Sequence, residues 1–230
     1  MIRKTLLLLF TAALVCTVPV YAQPQQTLLS FTGYDYENPG DGGLYLAVGD
    51  GYKSVGFITS FGPLLDPFYD FSQNEYTYYL FDLTVATRDT DGSDMVVTFN
   101  DNGRVRYFED PFARPYTPAL YGTNPPNATA PSTFIDPGPP ALGGDLDQFV
   151  LTYNFATGRG AWSGAMTLDE GSDLALYVPP AQRSGWILGA QNDNTSVPAG
   201  YDNQVEGNCL VPGPTSATQR TWGAIKSLYR

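Results

Sequence analysis

The stretch MVVTFNDNGRVRYFE, residues 95–109, decides the fold class of this chain. Val, Thr, Tyr and Phe, which favour strands, recur on both sides of Asn102-Gly103. Asn-Gly is the strongest short-range signal for a two-residue hairpin turn. The pattern therefore predicts two antiparallel strands in which Asp101 lies opposite Arg104 as a complementary pair.

The residues before this stretch extend the same pattern. Residues 75–88 form a long β-rich run, so we expect three consecutive strands in an antiparallel meander. Further upstream, residues 44–59 predict a hairpin that turns at Asp50-Gly51, with Val55 and Phe57 on its apolar face. The N-terminal half thus reads as successive hairpins.

The residues after this stretch divide into a long loop and more strands. Residues 111–144 contain nine prolines, which excludes a central strand over most of this segment and predicts a long surface excursion. Strand patterns resume at four places, which are residues 147–155, 161–168, 174–178 and 185–190. We expect an all-β single domain, an antiparallel β-sandwich or jelly roll, although the pattern does not decide between a sandwich and a barrel.

The N-terminus predicts export. Arg3 and Lys4 precede an apolar run over residues 6–15, and Val20-Tyr21-Ala22 is a small-residue cleavage pattern. We expect residues 1–22 to be a signal peptide that is removed, leaving an all-β domain over residues 23–210. The apolar run is shorter than the ~20 residues of a spanning helix, so the sequence predicts a secreted or extracytoplasmic protein with no transmembrane anchor.

The C-terminus differs from the body of the chain. Residues 211–230 read as a Pro-containing linker followed by an amphipathic helix over residues 218–230. Trp222, Ile225, Leu228 and Tyr229 supply its apolar side, and Arg220, Lys226 and Arg230 supply its charge. Such a tail is typical of a sorting or docking segment.

Composition excludes several classes of function. The chain has no histidine, which removes Ser-His-Asp triads, Cys-His dyads and the usual zinc sites. Cys209 is the only cysteine after residue 22, so no intrachain disulfide can form. Residues 23–230 carry 10 Lys and Arg against 23 Asp and Glu, and such an acidic protein is a poor partner for nucleic acid.

Two kinds of candidate site remain in the sequence. Asp89, Asp91 and Asp94 lie around a glycine in the manner of oxygen ligands for calcium, although the same residues suit an ordinary acidic hairpin turn. Four aromatic residues are candidate platforms for a ligand such as a sugar ring, although strand aromatics also fill cores. They are Tyr34, Tyr36, Trp162 and Trp186.

Paired carboxylates are the remaining candidates for catalysis, because glycoside hydrolysis uses two of them across a cleft. The sequence offers six such residues but does not place any two together. They are Glu109, Asp110, Asp145, Asp147, Asp169 and Glu170. No cofactor other than calcium is expected.

The chain resembles known sequences in two places. Its last ten residues, TWGAIKSLYR, are similar to short terminal tails on otherwise dissimilar exported bacterial proteins. The body, with Phe108-Glu109-Asp110-Pro111, residues 131–134 and residues 200–202, resembles uncharacterised secreted bacterial β proteins. This resemblance implies a bacterial source and a shared sorting step, and it carries no catalytic residue.

These observations lead to two functional hypotheses. The first is a non-catalytic exported β protein that acts in binding or assembly with cell-surface components. The alternative is a carbohydrate-binding or glycoside-hydrolysing domain that uses paired carboxylates and exposed aromatic side chains.

Overall fold

A computed structural model describes residues 24–38, 46–113, 115–122, 133–135, 138–193 and 196–213. The predicted signal peptide and the predicted C-terminal helix lie outside these residues. The described chain is all-β, as the sequence predicts. It contains one short α-helix, α1 (Leu174–Tyr177), one turn of 3-10 helix at Pro180–Gln182, and nine strands: β1 (Gln25–Asn38), β2 (Gly51–Phe61), β3 (Asn74–Asp91), β4 (Asp94–Phe99), β5 (Gly103–Pro111), β6 (Leu142–Asn154), β7 (Arg159–Glu170), β8 (Ser184–Asn192) and β9 (Asn203–Pro212).

The strands form one closed antiparallel sheet. Consecutive strands pair with each other except β4 and β5, and β1 also pairs with β9, which joins the first strand to the last. β4 and β5 together occupy one position, because both lie between β3 and β6. The result is an up-and-down barrel with eight strand positions. The expected sandwich or jelly roll is therefore corrected to a single closed sheet, in which each of the nine described strands pairs on both sides.

The prediction of a hairpin at Asn102-Gly103 is wrong. Phe99 lies opposite Val85 and Arg104 lies opposite Phe81, so β4 and β5 run in the same direction along β3. Gly103 serves the packing here, since a Cβ at this position would lie 2.4 Å from a methyl carbon of Leu83. The glycine makes room for a core leucine instead of turning the chain.

The prediction of a hairpin over residues 44–59 is also wrong. The residues after Gly51 form β2, which pairs with β1 and places Gly51 opposite Asn38. A tight two-residue turn does occur at Gly92, where β3 meets β4 and Asp91 lies opposite Asp94. Gly92 has a φ of 62°, which such turns require and glycine adopts readily.

Several other elements also differ from the sequence-based expectation. Residues 174–178, predicted as a strand, begin with α1. Val211 and Pro212, predicted as linker, belong to β9, where Val211 is buried and lies opposite Gln26. Strands β1 and β9 themselves were not predicted, because neither shows an uninterrupted alternation of apolar residues.

The barrel interior is filled by large aromatic side chains. Trp162 lies between Phe31 and Phe149, with ring centroids 5.9 Å and 5.1 Å away. Two glycines provide the space for these rings. A Cβ on Gly189 would lie 2.4 Å from the Trp162 ring, and one on Gly207 would lie 2.3 Å from the Phe31 ring.

One end of the barrel is closed by its own loops. Leu65 and Tyr69, between β2 and β3, and Leu174 and Val178, between β7 and β8, are buried in the main core. The Tyr69 hydroxyl donates to the Asp173 carboxylate at 2.8 Å and joins the two loops.

Part of the outside of the barrel is also covered. Side chains from residues 115–122, 133–135 and 196–201 pack on the outer side of β1, β2 and β3 around the buried Phe134. Residues 115–122, 133–135 and 196–201 therefore form a second, smaller core on this side.

Candidate functional site

Among the described residues, the void in the barrel core is too small for an organic ligand. The cavity lined by Leu29, Ile58, Tyr107 and their neighbours measures about 10 Å³, which is at most the space of one water molecule. Small barrels that hold ligands keep an open interior. The side chains around this void are closely packed and contribute stability.

A buried carboxylate lies at the other end of the interior. Asp35 is fully buried and accepts hydrogen bonds from Tyr52 Oη at 2.8 Å, from the backbone N–H of Asn203 at 2.9 Å and from Asn203 Nδ2 at 3.2 Å. The side-chain amide of Gln191 also donates to it. Every one of these partners is a donor, so the site suits an acceptor-only carboxylate.

Burial changes the pKa of Asp35. It raises the pKa of this carboxyl from 3.8 to about 6, although the hydrogen bonds from Gln191, Tyr52 and Asn203 oppose the shift. Glu37 continues the polar cluster, because its carboxylate accepts the backbone N–H of Leu46 at 2.7 Å. Since Asp35 has no exposed surface, we assign the cluster a structural role in fixing the end of the barrel.

Carboxylates that were candidates for catalysis lie together on the outer side of the barrel. Arg104 contacts Asp145 at 2.5 Å, Asp169 at 3.0 Å and Glu170 at 2.9 Å, and Arg106 contacts Glu170 at 2.8 Å. Hydrogen bonds from Arg106 lower the pKa of Glu170, and those from Arg104 act in the same direction. A general acid needs a raised pKa, so this arrangement suits an ion-pair network.

Replacing Arg106 tests this assignment. We expect Arg106→Gln to raise the pKa of Glu170 back toward 4.5, because the hydrogen bonds from Arg106 are the largest cause of its lowered pKa and are lost. The free energy of unfolding should change by less than about 1 kcal/mol, since the pair is partly exposed. Carbon-detected NMR titration of the Glu170 carboxyl measures the pKa, and Arg159→Gln is the matched control. An unchanged pKa in Arg106→Gln would contradict the network.

The candidate calcium ligands lie at the hairpin between β3 and β4. Asp91 faces Asp94 across the turn, Asp89 faces Val96, and Asp94 accepts a hydrogen bond from Asn154 Nδ2 at 2.6 Å. Within the described ranges, no group of three or more His, Cys, Asp or Glu side chains is arranged to hold a metal ion. The turn geometry at Gly92 accounts for the Asp and Gly residues of this segment without a metal.

The four candidate ligand aromatics lie in different environments. Trp162 is buried in the barrel, and Tyr36 is buried beneath the loops outside it, 5.6 Å from the Tyr201 ring. Tyr34 is half-buried in the same outer cluster, 4.5 Å from Tyr121. Trp186 alone among the four is exposed, at 39%. The other three pack against protein, so Trp186 is the one placed to meet a ligand.

Trp186 belongs to a surface that the described loops leave uncovered. We define the open face as the outward side chains of β4 and β6 to β9. Leu188, two residues from Trp186 on the same side of β8, is 37% exposed, and Val96 on β4 is also exposed. Trp186 and Leu188 lie side by side at outward positions of β8, and Val96 lies three strands away on the same face. Exposed large apolar residues of this kind distinguish the open face from the covered side of the barrel.

The open face contains a shallow groove of about 440 Å³. Its lining is mostly small and uncharged, and Glu206 is its one acidic residue; it comprises Val150, Thr152, Ala161, Trp162, Ser163, Leu188, Gly189, Ala190, Glu206, Gly207 and Asn208. A second depression of about 570 Å³, between β4, β6 and β7, shares Thr152 and Ala161 with it. Sequence reasoning missed this groove, because Ala, Ser and Thr at outward strand positions carry no distinctive signal.

The fold and the surface define a filled antiparallel barrel with one open outer face. Comparison of the chain with protein-family models, with curated proteins and with solved structures gave no match. Among the described residues, no helix is long and apolar enough to cross a membrane.

Proposed function

We propose that this chain acts outside the cytoplasm as a non-catalytic binding or assembly protein, and that the open face is its contact surface. The observation that carries the proposal is the groove on β6 to β9, next to the exposed Trp186 and Leu188. The centres of protein interfaces are depleted in charge and enriched in aromatic residues. The groove has one acidic residue, Glu206, in its lining and lies next to the exposed Trp186. The predicted signal peptide supports a role after export.

Three features of the barrel favour a binding role over catalysis. The interior is filled by rings such as Trp162 and Phe149. The buried Asp35 is enclosed by hydrogen-bond donors. Asp145, Asp169 and Glu170 are engaged with arginine side chains. Acidic groups in such environments contribute to structure, and none of them faces the groove.

A pair of leucine variants tests the proposal. Leu188→Asp places a charge in the groove, whereas Leu176→Asp places one on α1, where Leu176 is 70% exposed. We expect fluorescently labelled Leu188→Asp to bind the producing cells at least roughly tenfold more weakly than the unchanged protein, because a charge must be desolvated in an apolar contact. Leu176→Asp should bind normally.

Flow cytometry measures the cell binding, and a thermal melt shows that both variants remain folded. Equal binding by Leu188→Asp and the unchanged protein would contradict the assignment of the open face.

Carbohydrate binding is the second candidate, and Trp186 is the observation that favours it. An exposed indole can stack on a sugar ring, and Asn208 and Ser163 in the adjacent groove can hydrogen-bond to hydroxyl groups. If the ligand is a saccharide, Trp186→Ala should abolish binding on a glycan array. A protein ligand would instead leave the array blank, while Leu188→Asp still loses cell binding.

A further inference from the structure

The chain leaves the barrel beside the open face. β9 ends at Pro212, and the next residue, Gly213, donates its backbone N–H to the carbonyl oxygen of Pro24 at 2.6 Å. Leu210, an outward residue near this end, lies opposite Trp186 on β8. At about 3.3 Å per residue, the point where residues 214–230 begin, four residues beyond Leu210, is roughly 13 Å along the strand from the Trp186 position.

The length of the tail matches the surface. Trp186 and Ala190 lie four residues apart on β8, which is about 13 Å along the strand. The helix that the sequence predicts over residues 218–230 would measure about 20 Å, which leaves four residues, 214–217, to connect it to the barrel. The tail is thus long enough to reach and cover the groove.

The chemistry of the tail also matches the surface. Its predicted apolar side, with Trp222 and Ile225, suits the exposed Trp186 and Leu188. Residues 214–230 carry three Lys and Arg and no Asp or Glu, whereas residues 23–213 carry seven Lys and Arg and all 23 Asp and Glu. Glu206 gives the groove an exposed negative charge. Opposite charges of this kind orient a segment on its surface.

We propose that residues 214–230 dock on the open face of the same molecule, with their apolar side over Trp186 and Leu188 and a cation near Glu206. The tail is then an intramolecular occupant of the surface, and it must leave before an external partner binds there. This inference goes beyond the proposed function. It concerns what covers the open face in the isolated protein, and it holds or fails whatever the external partner is.

Site-resolved oxidation of tryptophan in the full chain after signal removal tests the inference. Trp186 is 39% exposed on the described barrel, whereas Trp162 is 2% exposed and reports on folding. Docking slows the oxidation of Trp186, and a docking equilibrium worth about 1.4 kcal/mol slows it roughly tenfold. N-bromosuccinimide is the probe, and peptide mass spectrometry gives the rate at each tryptophan.

Two tail variants supply the comparison. Ile225→Asp disrupts the predicted apolar side, and Ser227→Asp adds the same charge outside that side. We expect slow oxidation of Trp186 in the unchanged protein and in Ser227→Asp, and oxidation roughly tenfold faster in Ile225→Asp, while Trp162 stays protected in all three.

Equal and fast oxidation of Trp186 in all three proteins would overturn the inference. Slow oxidation that Ile225→Asp does not change would also overturn it, and a dependence on protein concentration would then identify a second copy as the occupant. Loss of the cell binding described above with Leu188→Asp is a separate readout, so either proposal can fail alone.

Discussion

Replacing Trp162 with alanine is expected to lower the free energy of unfolding by about 4 kcal/mol, because the loss of a large buried ring leaves a cavity that its neighbours cannot fill. The indole is 2% exposed and lies between Phe31 and Phe149. The glycines at positions 189 and 207 cannot extend side chains into the space. Urea unfolding measures the change.

Two matched variants separate burial from residue type. Trp186→Ala removes the same side chain from the open face, and we expect a change below about 0.5 kcal/mol. Trp162→Phe keeps an aromatic ring and removes a buried indole N–H that has no hydrogen-bond partner, so it should cost no more than about 1 kcal/mol. Similar losses for Trp162→Ala and Trp186→Ala would contradict the filled barrel.

The second large effect concerns the pH dependence of stability, which we expect to depend on Asp35. Its pKa is about 6 in the folded protein against 3.8 for an unperturbed carboxyl. The folded state therefore binds the proton more tightly than the unfolded state, and this residue adds stability as the pH falls from about 6 toward 4. A shift of this size corresponds to about 2 kcal/mol between pH 7 and pH 4, because part of the unfolded carboxyl is already protonated at pH 4.

Asp35→Asn isolates this contribution, because asparagine does not titrate. The Gln191 amide can rotate so that its Oε1, which is buried without a hydrogen-bond partner, accepts from the new side-chain amide. We expect the unchanged protein to gain about 2 kcal/mol relative to Asp35→Asn when the pH is lowered from 7 to 4. The difference in the free energy of unfolding between the two proteins cancels the contributions of other carboxylates, such as Glu170. Parallel stability curves would contradict the assignment.

The alternation of side chains predicted the class of fold correctly. On β4, Met95, Val97 and Phe99 are buried and Val96 is exposed, as a period of two requires. The strand over residues 75–88 was also predicted, and β3 extends it at both ends. The alternation of buried and exposed side chains depends only on local sequence, so it predicts a strand whichever strand lies next to it.

Strand pairing could not be predicted in the same way. Asn102-Gly103 has the sequence of a hairpin turn, yet Leu83, which is distant in sequence, packs where the Cβ of residue 103 would lie. β1 was missed because Asp35 and Glu37 occupy buried positions, which breaks its apolar pattern. Contacts between distant residues decide both cases.

The candidate site was predicted in part. Trp186 was among the aromatic candidates and is exposed on the open face. Tyr34 and Tyr36 also lie outside the barrel, but loops from residues 115–122 and 196–201 cover them. Period two separates the two sides of a strand and does not reveal which side a distant loop will cover. The groove and its small residues were found only from the structure.

The central claim is that a single closed sheet, filled on the inside, leaves recognition to its outer face. Cross-strand NMR contacts test it most directly. We predict contacts between β1 and β9, including Gly33 with Val205, together with contacts between β3 and both β4 and β5. Contacts of β4 with β5 across Asn102-Gly103, together with rapidly exchanging amides along β1 or β9, would contradict it.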